Sequence, residues 1–152
     1  MNTPFKKHEI TVVAPQNLIW WVISDFSQFY LWNSVVPYGS GSLKPGRTLR
    51  VSLRMTSGKV SLSSCFVNKV ERNHFFVLSR RLLSKRLLYL EHAFIIEPIN
   101  EPENEFKFTQ TLKAEGILCP FFIRRLRAQW ELFNVMNHDL KYYINKLQNH
   151  GT

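Results

Sequence analysis

Aspartate and cysteine are the scarcest chemically useful residues in this chain, with two of each: Asp25 and Asp139, Cys65 and Cys119. With so few aspartates, no Ser/His/Asp or Cys/His order stands out, and the five histidines lack ligand spacing, so nucleophilic and metal chemistry find no support. The two cysteines are isolated in apolar surroundings and form no CxxC pair. A disulfide framework or zinc site is therefore not expected, and both read as buried, reduced thiols. No uncharged apolar run approaches the roughly 20 residues that a membrane span needs. Met1 to His8 carries Lys6 and Lys7 but no apolar stretch or small-residue cleavage site, so export is not expected and a cytoplasmic protein is. No cofactor is expected either.

What is present is a foldable composition. Hydrophobic residues make up 45% and charged residues 20% of 152 positions, which excludes a disordered segment and suits one domain spanning 1–152. A chain of this length buries roughly two thirds of its unfolded surface. Twenty basic against eleven acidic residues give a net charge of +9, which favours phosphate-rich partners, nucleic acid or anionic lipid, without choosing between them.

Phe5, Ile10 and Val12 alternate with polar residues in a first strand that Ala14-Pro15 ends. Ile19, Trp20 and Ile23 then recur at helical spacing, giving a short helix from Pro15 to Ser24, and Phe26, Phe29, Tyr30 and Trp32 form a second short helix or turn. Between Val35 and Glu115, turn residues (Gly39 to Gly41, Pro45-Gly46, Ser57-Gly58, Arg72-Asn73, Pro98 to Asn104) mark off six strands. In the clearest, Glu105 to Lys113, Phe106, Phe108, Gln110 and Leu112 share the core face. Pro120 to Leu147 reads as one helix with the stripe Phe122, Leu126, Trp130, Phe133, Asn137, Leu140, Ile144 and Leu147. That stripe is about 38 Å long at 1.5 Å per residue, and the only apolar partner of that length is the concave face of an antiparallel sheet.

Trp20-Trp21-Val22-Ile23-Ser24-Asp25-Phe26 followed by Tyr30-Leu31-Trp32-Asn33 resembles the opening signature of the START-like superfamily, the Bet v 1-like, polyketide cyclase/dehydrase and lipid-transport group. Pro45 to Val51 resembles its hairpin, Glu91 to Pro98 its late strand, and Phe133 to Lys141 its terminal helix, so the likeness covers nearly the whole chain. Ser34 stands where a proline often follows the Trp-Asn pair, and Trp20-Trp21 doubles an aromatic where one is usual. The resemblance implies an α+β helix-grip fold: a curved seven-stranded antiparallel sheet around a long C-terminal helix, with two short helices after strand one. It also implies a cavity between sheet and helix that holds lipids, sterols, quinones, hormones or polyketides in different members.

Inward strand positions and the first half of the last helix then nominate Phe94, Phe108, Leu126, Trp130 and Phe133 as ligand-binding, with Trp32 near one end. Each of these also reads as plain core packing. His92, Gln110 and Asn137 are polar exceptions on apolar faces. A buried polar group without a partner costs about 1 to 3 kcal/mol, so the three either pair with one another or the backbone, or await a ligand headgroup. His92 is also expected to titrate near neutral pH, and alanine at His92 or Gln110 to alter ligand affinity more than stability. Asp25 is expected to cap the short helix that follows it.

The basic residues fall in two clusters, Arg80-Arg81 with Lys85-Arg86, and Arg124-Arg125 with Arg127. Cations in the first turns of a helix oppose its dipole, which calls for compensation. A solvated surface is one reading; the other places both clusters near the cavity mouth, facing anionic lipid or RNA phosphate. The leading functional expectation is non-enzymatic binding or transport of a lipid- or quinone-like molecule, with basic residues helping the protein dock on an anionic membrane surface or a partner. A cyclase/dehydrase-type enzyme using His92 is the alternative from a second class. An RNA, ribosome or protein interaction module, as some coenzyme Q-binding-like members suggest, is the third.

Overall fold

A computed structural model describes residues 6–150, so Phe5 lies outside the described residues. The first strand, β1, spans Lys6–Val13 and ends where Pro15 removes a backbone donor. Helix α1 runs Gln16–Ser24, one residue later than its sequence pattern suggests, because Pro15 acts as its N-cap: its carbonyl accepts from the Leu18 and Ile19 amides at 3.0 and 3.2 Å. Of the doubled tryptophans, Trp20 is buried and Trp21 is exposed. A 3-10 turn over Phe26–Leu31 follows. Asp25 precedes this turn but does not cap it with its side chain, contrary to expectation; its carboxylate instead accepts the Ser27 hydroxyl at 2.5 Å.

Six strands come next: β2 (Tyr38–Ser40), β3 (Thr48–Arg54), β4 (Val60–Glu71), β5 (Phe75–Leu82), β6 (Leu88–Asn100) and β7 (Glu105–Glu115). They form one antiparallel sheet with β1 in the order β1-β7-β6-β5-β4-β3-β2. Helix α2 spans Cys119–His150, longer at both ends than the sequence stripe. Trp130, Phe133, Asn137, Leu140 and Ile144 of that stripe are buried, and Met136 joins them. Arg124, Arg127, Glu131, Asn134, His138, Lys141 and Asn145, on the opposite face, are exposed. Cys65 is buried, whereas Cys119 is only partly so, because α2 starts there beyond the packed part of its stripe.

Ser34 departs from the expected proline for a physical reason. Its amide and hydroxyl both donate to Asp139 Oδ2, at 3.0 and 2.6 Å, tying the segment after the 3-10 turn to the middle of α2. A proline has no amide hydrogen to give. Asn33 completes the corner by accepting the Val35 and Val36 amides on Oδ1.

At the other end of the sheet the β7–α2 loop presses on the β5–β6 connection. Ile117 N donates to Arg86 O at 3.0 Å and Leu118 N to Leu87 O at 2.9 Å. The approach requires glycine: Gly116 has φ +117°, and a Cβ there would lie 2.4 Å from Leu87 O. Gly116→Ala is expected to destabilise the fold by about 2 kcal/mol, measured by urea denaturation. An unchanged midpoint would mean that this junction is not held as described.

Candidate functional site

Strand alternation puts Phe76, Leu78 and Arg80 of β5, Leu90, His92 and Phe94 of β6, and Phe108, Gln110 and Leu112 of β7 on one face of the sheet. Between that concave face and the first half of α2 lies a cavity of about 140 Å³. Of the nominated residues, His92, Phe94, Leu126, Trp130 and Phe133 line it. Trp32, Phe108, Gln110 and Asn137 do not. Trp32 packs on Phe29 and stacks on Tyr143, far along α2, and Phe108 is fully buried with its ring 6.4 Å from that of Phe94.

The three polar exceptions pair with one another. His92 and Gln110 are diagonal neighbours across β6 and β7, since His92 faces Leu112 and Gln110 faces Phe94 in the register. His92 Nε2 lies 2.8 Å from Gln110 Oε1, while Gln110 Nε2 donates to Asn137 Oδ1 at 2.5 Å and to the Phe133 carbonyl at 3.2 Å. Because an amide oxygen only accepts, His92 Nε2 carries the hydrogen and Nδ1 is left as an acceptor. The chain of bonds therefore runs from sheet to helix.

The His92 ring is stacked on Phe94 at 4.2 Å and edge-on to Phe133 and Trp130 at 4.7 and 5.1 Å. Burial among these rings lowers its pKa to about 4; the Gln110 bond opposes this and nearby His8 adds to it. His92 therefore does not titrate near neutral pH, contrary to expectation. Its side chain is partly exposed in area, but the ring's aromatic surroundings decide the direction of the shift.

Two cavity residues hold buried polar atoms without a partner among the described residues: Gln129 Oε1, an acceptor, and Trp130 Nε1, a donor. The Gln129 amide nitrogen is spent on Arg54 O at 2.8 Å, which fixes the orientation of its amide. The sequence reading missed Gln129, although it sits one helical turn before Phe133 on the same stripe. Missed too were Leu78 and Leu90, which the alternation of β5 and β6 places beside His92, and Cys65, whose thiol burial pushes up against the opposing field of Arg80.

The first basic cluster divides. Arg80 is exposed yet also lines the cavity, and Arg81, the next residue, takes the other face of the strand. Lys85 and Arg86 occupy the β5–β6 connection, and Arg124, Arg125 and Arg127 are exposed on the first turns of α2.

No protein-family model matches the chain, and no curated protein matches it in sequence. Solved structures do. A START superfamily protein from Mycobacterium smegmatis superposes with a TM-score of 0.65 at 16% identity over 93% of this chain and 97% of that one. This chain has the START-like fold. A protein from Thermobifida fusca shares it at a TM-score of 0.69 and 16% identity, covering 93% of both chains. So does the di-domain ARO/CYC BexL from the BE-7585A biosynthetic pathway, at 0.71 and 10% identity over 95% of this chain and 47% of that one. The present chain thus spans about half the length of that di-domain protein. The seven-stranded antiparallel sheet and long C-terminal helix are the START-like helix grip expected from the sequence. Among the described residues no helix is long and apolar enough to cross a membrane.

Proposed function

We propose that this START-like protein binds one small, largely apolar molecule between the sheet and α2, and that its role is carriage or sensing rather than turnover. The observation that carries the reading is the 140 Å³ cavity, walled by aromatic and aliphatic side chains. A dry apolar void of about 150 Å³ is known to take up benzene, so this one suits a single ring or a short alkyl chain. The unpartnered Gln129 Oε1 and Trp130 Nε1 favour a ligand with a hydroxyl or carbonyl beside that ring, since each buried orphan costs about 1 to 3 kcal/mol until satisfied.

The cyclase-type alternative is weaker on two counts. A polyketide that closes several rings needs more space than one ring's worth, and an imidazole with a pKa of about 4 is a poor general base at neutral pH. The test is organic extraction of gently purified protein with mass spectrometry, followed by thermal melts with 4-ethylphenol. A co-purifying ring-sized hydrophobe is expected, and the phenol at a hundred times its Kd should stabilise the fold by about 2.7 kcal/mol. Leu126→Trp, which fills the void from a half-buried helix position, should abolish the shift. An empty extract together with no shift in the parent protein would overturn the reading.

A further inference from the structure

The two basic clusters are nearly forty residues apart in sequence, yet the fold joins the segments that carry them. The bonds from Ile117 N to Arg86 O and from Leu118 N to Leu87 O lace the β7–α2 loop to the β5–β6 connection. Around this junction the chain exposes large apolar side chains: Leu83 at 86%, Phe121 at 81% and Ile117 at 70%, with Leu82 beside them. Between residues 82 and 88 and between 116 and 125 there is no aspartate or glutamate, while Lys85, Arg86, Arg124 and Arg125 supply four cations. The first turn of α2 has no acidic residue either, so nothing within the helix offsets the positive end of its dipole.

Leu83 adds an independent sign. Its φ is +60°, a conformation that a branched, bulky residue rarely adopts, and almost all of its surface is in water. Neither packing nor backbone preference accounts for a leucine there. Beside the junction, the sheet carries an open polar groove of about 420 Å³ lined by Ser64, Asn68, Arg80, Arg81 and Tyr89, over whose ring Lys85 sits at 4.8 Å.

We infer that this end of the molecule docks on an anionic lipid bilayer, with Leu83, Ile117 and Phe121 entering the interface and the surrounding cations meeting lipid phosphates. Apolar tips ringed by lysine and arginine, with no acidic residue among them, match the two layers of a charged membrane surface: hydrocarbon beneath, phosphate above. Nucleic acid would use the cations but leave Leu83 and Ile117 in water. Arg80, which borders the cavity, lies only two residues before Leu82 on β5, so the docking surface adjoins one edge of the cavity wall. The inference stands on exposed residues and does not depend on the cavity being filled.

The test is co-sedimentation of the full chain with vesicles of phosphatidylcholine alone and with about a third phosphatidylserine. Pelleting is expected only with the anionic vesicles and should weaken as salt rises. Lys85→Glu with Arg86→Glu should lower vesicle affinity about tenfold or more. Leu83→Asn should lower it about fivefold while leaving the melting temperature equal or higher, because asparagine tolerates the left-handed backbone. A purely structural leucine would give the opposite pair of results. Leu126→Trp should pellet like the parent, which separates this inference from the cavity reading. Absence of pelleting, or equal pelleting by Leu83→Asn and Phe121→Ser, would overturn it. So would salt-sensitive RNA retention that Phe121→Ser leaves intact, or a dimer that Phe121→Ser dissolves.

Discussion

Gln110→Ala is expected to destabilise the protein by about 4 kcal/mol, the largest effect of any single substitution considered. Gln110 is fully buried and joins His92, Asn137 and the Phe133 carbonyl across the sheet–helix interface. Truncation removes three hydrogen bonds, strands the His92 N–H and the Asn137 carbonyl oxygen, and opens a void. Buried orphans cost about 1 to 3 kcal/mol each, and a large-to-small change in a core costs a further 2 kcal/mol or so. Urea denaturation reads the loss. Replacing both Gln110 and Asn137 by leucine removes donor and acceptor together and should recover part of it. A Gln110→Ala midpoint within about 1 kcal/mol of the parent would show that the polar chain does not hold helix to sheet. Since Gln110 lies behind the cavity wall, its replacement acts first on stability, which reverses the expectation from sequence.

His92 makes stability depend on pH in a definite direction. Its folded pKa of about 4 lies below the ordinary histidine value of 6.5, so the folded state prefers the neutral ring. The stabilisation is complete above pH 6.5 and falls as the pH drops from 6.5 through 4. At about 1.36 kcal/mol per unit, the full loss is roughly 3.4 kcal/mol. Glu9, whose carboxyl is held below its ordinary value of 4.5 chiefly by its hydrogen bond to Lys7, withdraws its contribution only near the bottom of that window and below it. Unfolding free energies of the parent and of His92→Gln, measured from pH 7.5 to 4, should therefore diverge below 6.5, with the variant flatter. Parallel curves would mean that the ring is hydrated and its pKa near normal.

The architecture was legible in the sequence because two long signals fix it. The alternation of β7 and the stripe from Phe122 to Leu147 each extend over many residues and leave one partner for the other. The void was less legible: Phe94 borders it and Phe108 does not, although both are buried aromatics on one sheet face. Packing decides which apolar residue meets empty space, and apolar residues in core and pocket are spelled alike. The pairing of His92, Gln110 and Asn137 was present only as a set of alternatives, because a diagonal contact across two strands depends on register. Between residues 35 and 64, serines occupy both phases of the strands, and Gly39 and Ser40, read as part of a turn, lie inside the short β2, where they pair with Val51 and Arg50. The junction of the two basic clusters depends on backbone hydrogen bonds that leave no side-chain signature.

The order of strands also constrains how the chain reaches this state. β1 pairs with β7 along its whole length, Lys6 opposite Leu112 and Val13 opposite Glu105, so the first strand has no neighbour until the last one is made. Helix α2, which covers the concave face, comes later still. On a ribosome adding about 5–20 residues per second, the earliest tenth of the chain waits several seconds for its partner, and sheets dominated by such distant pairings close slowly, in milliseconds to seconds. Nascent β1, with its run Ile10 to Val13, is thus the segment that most needs shielding during synthesis.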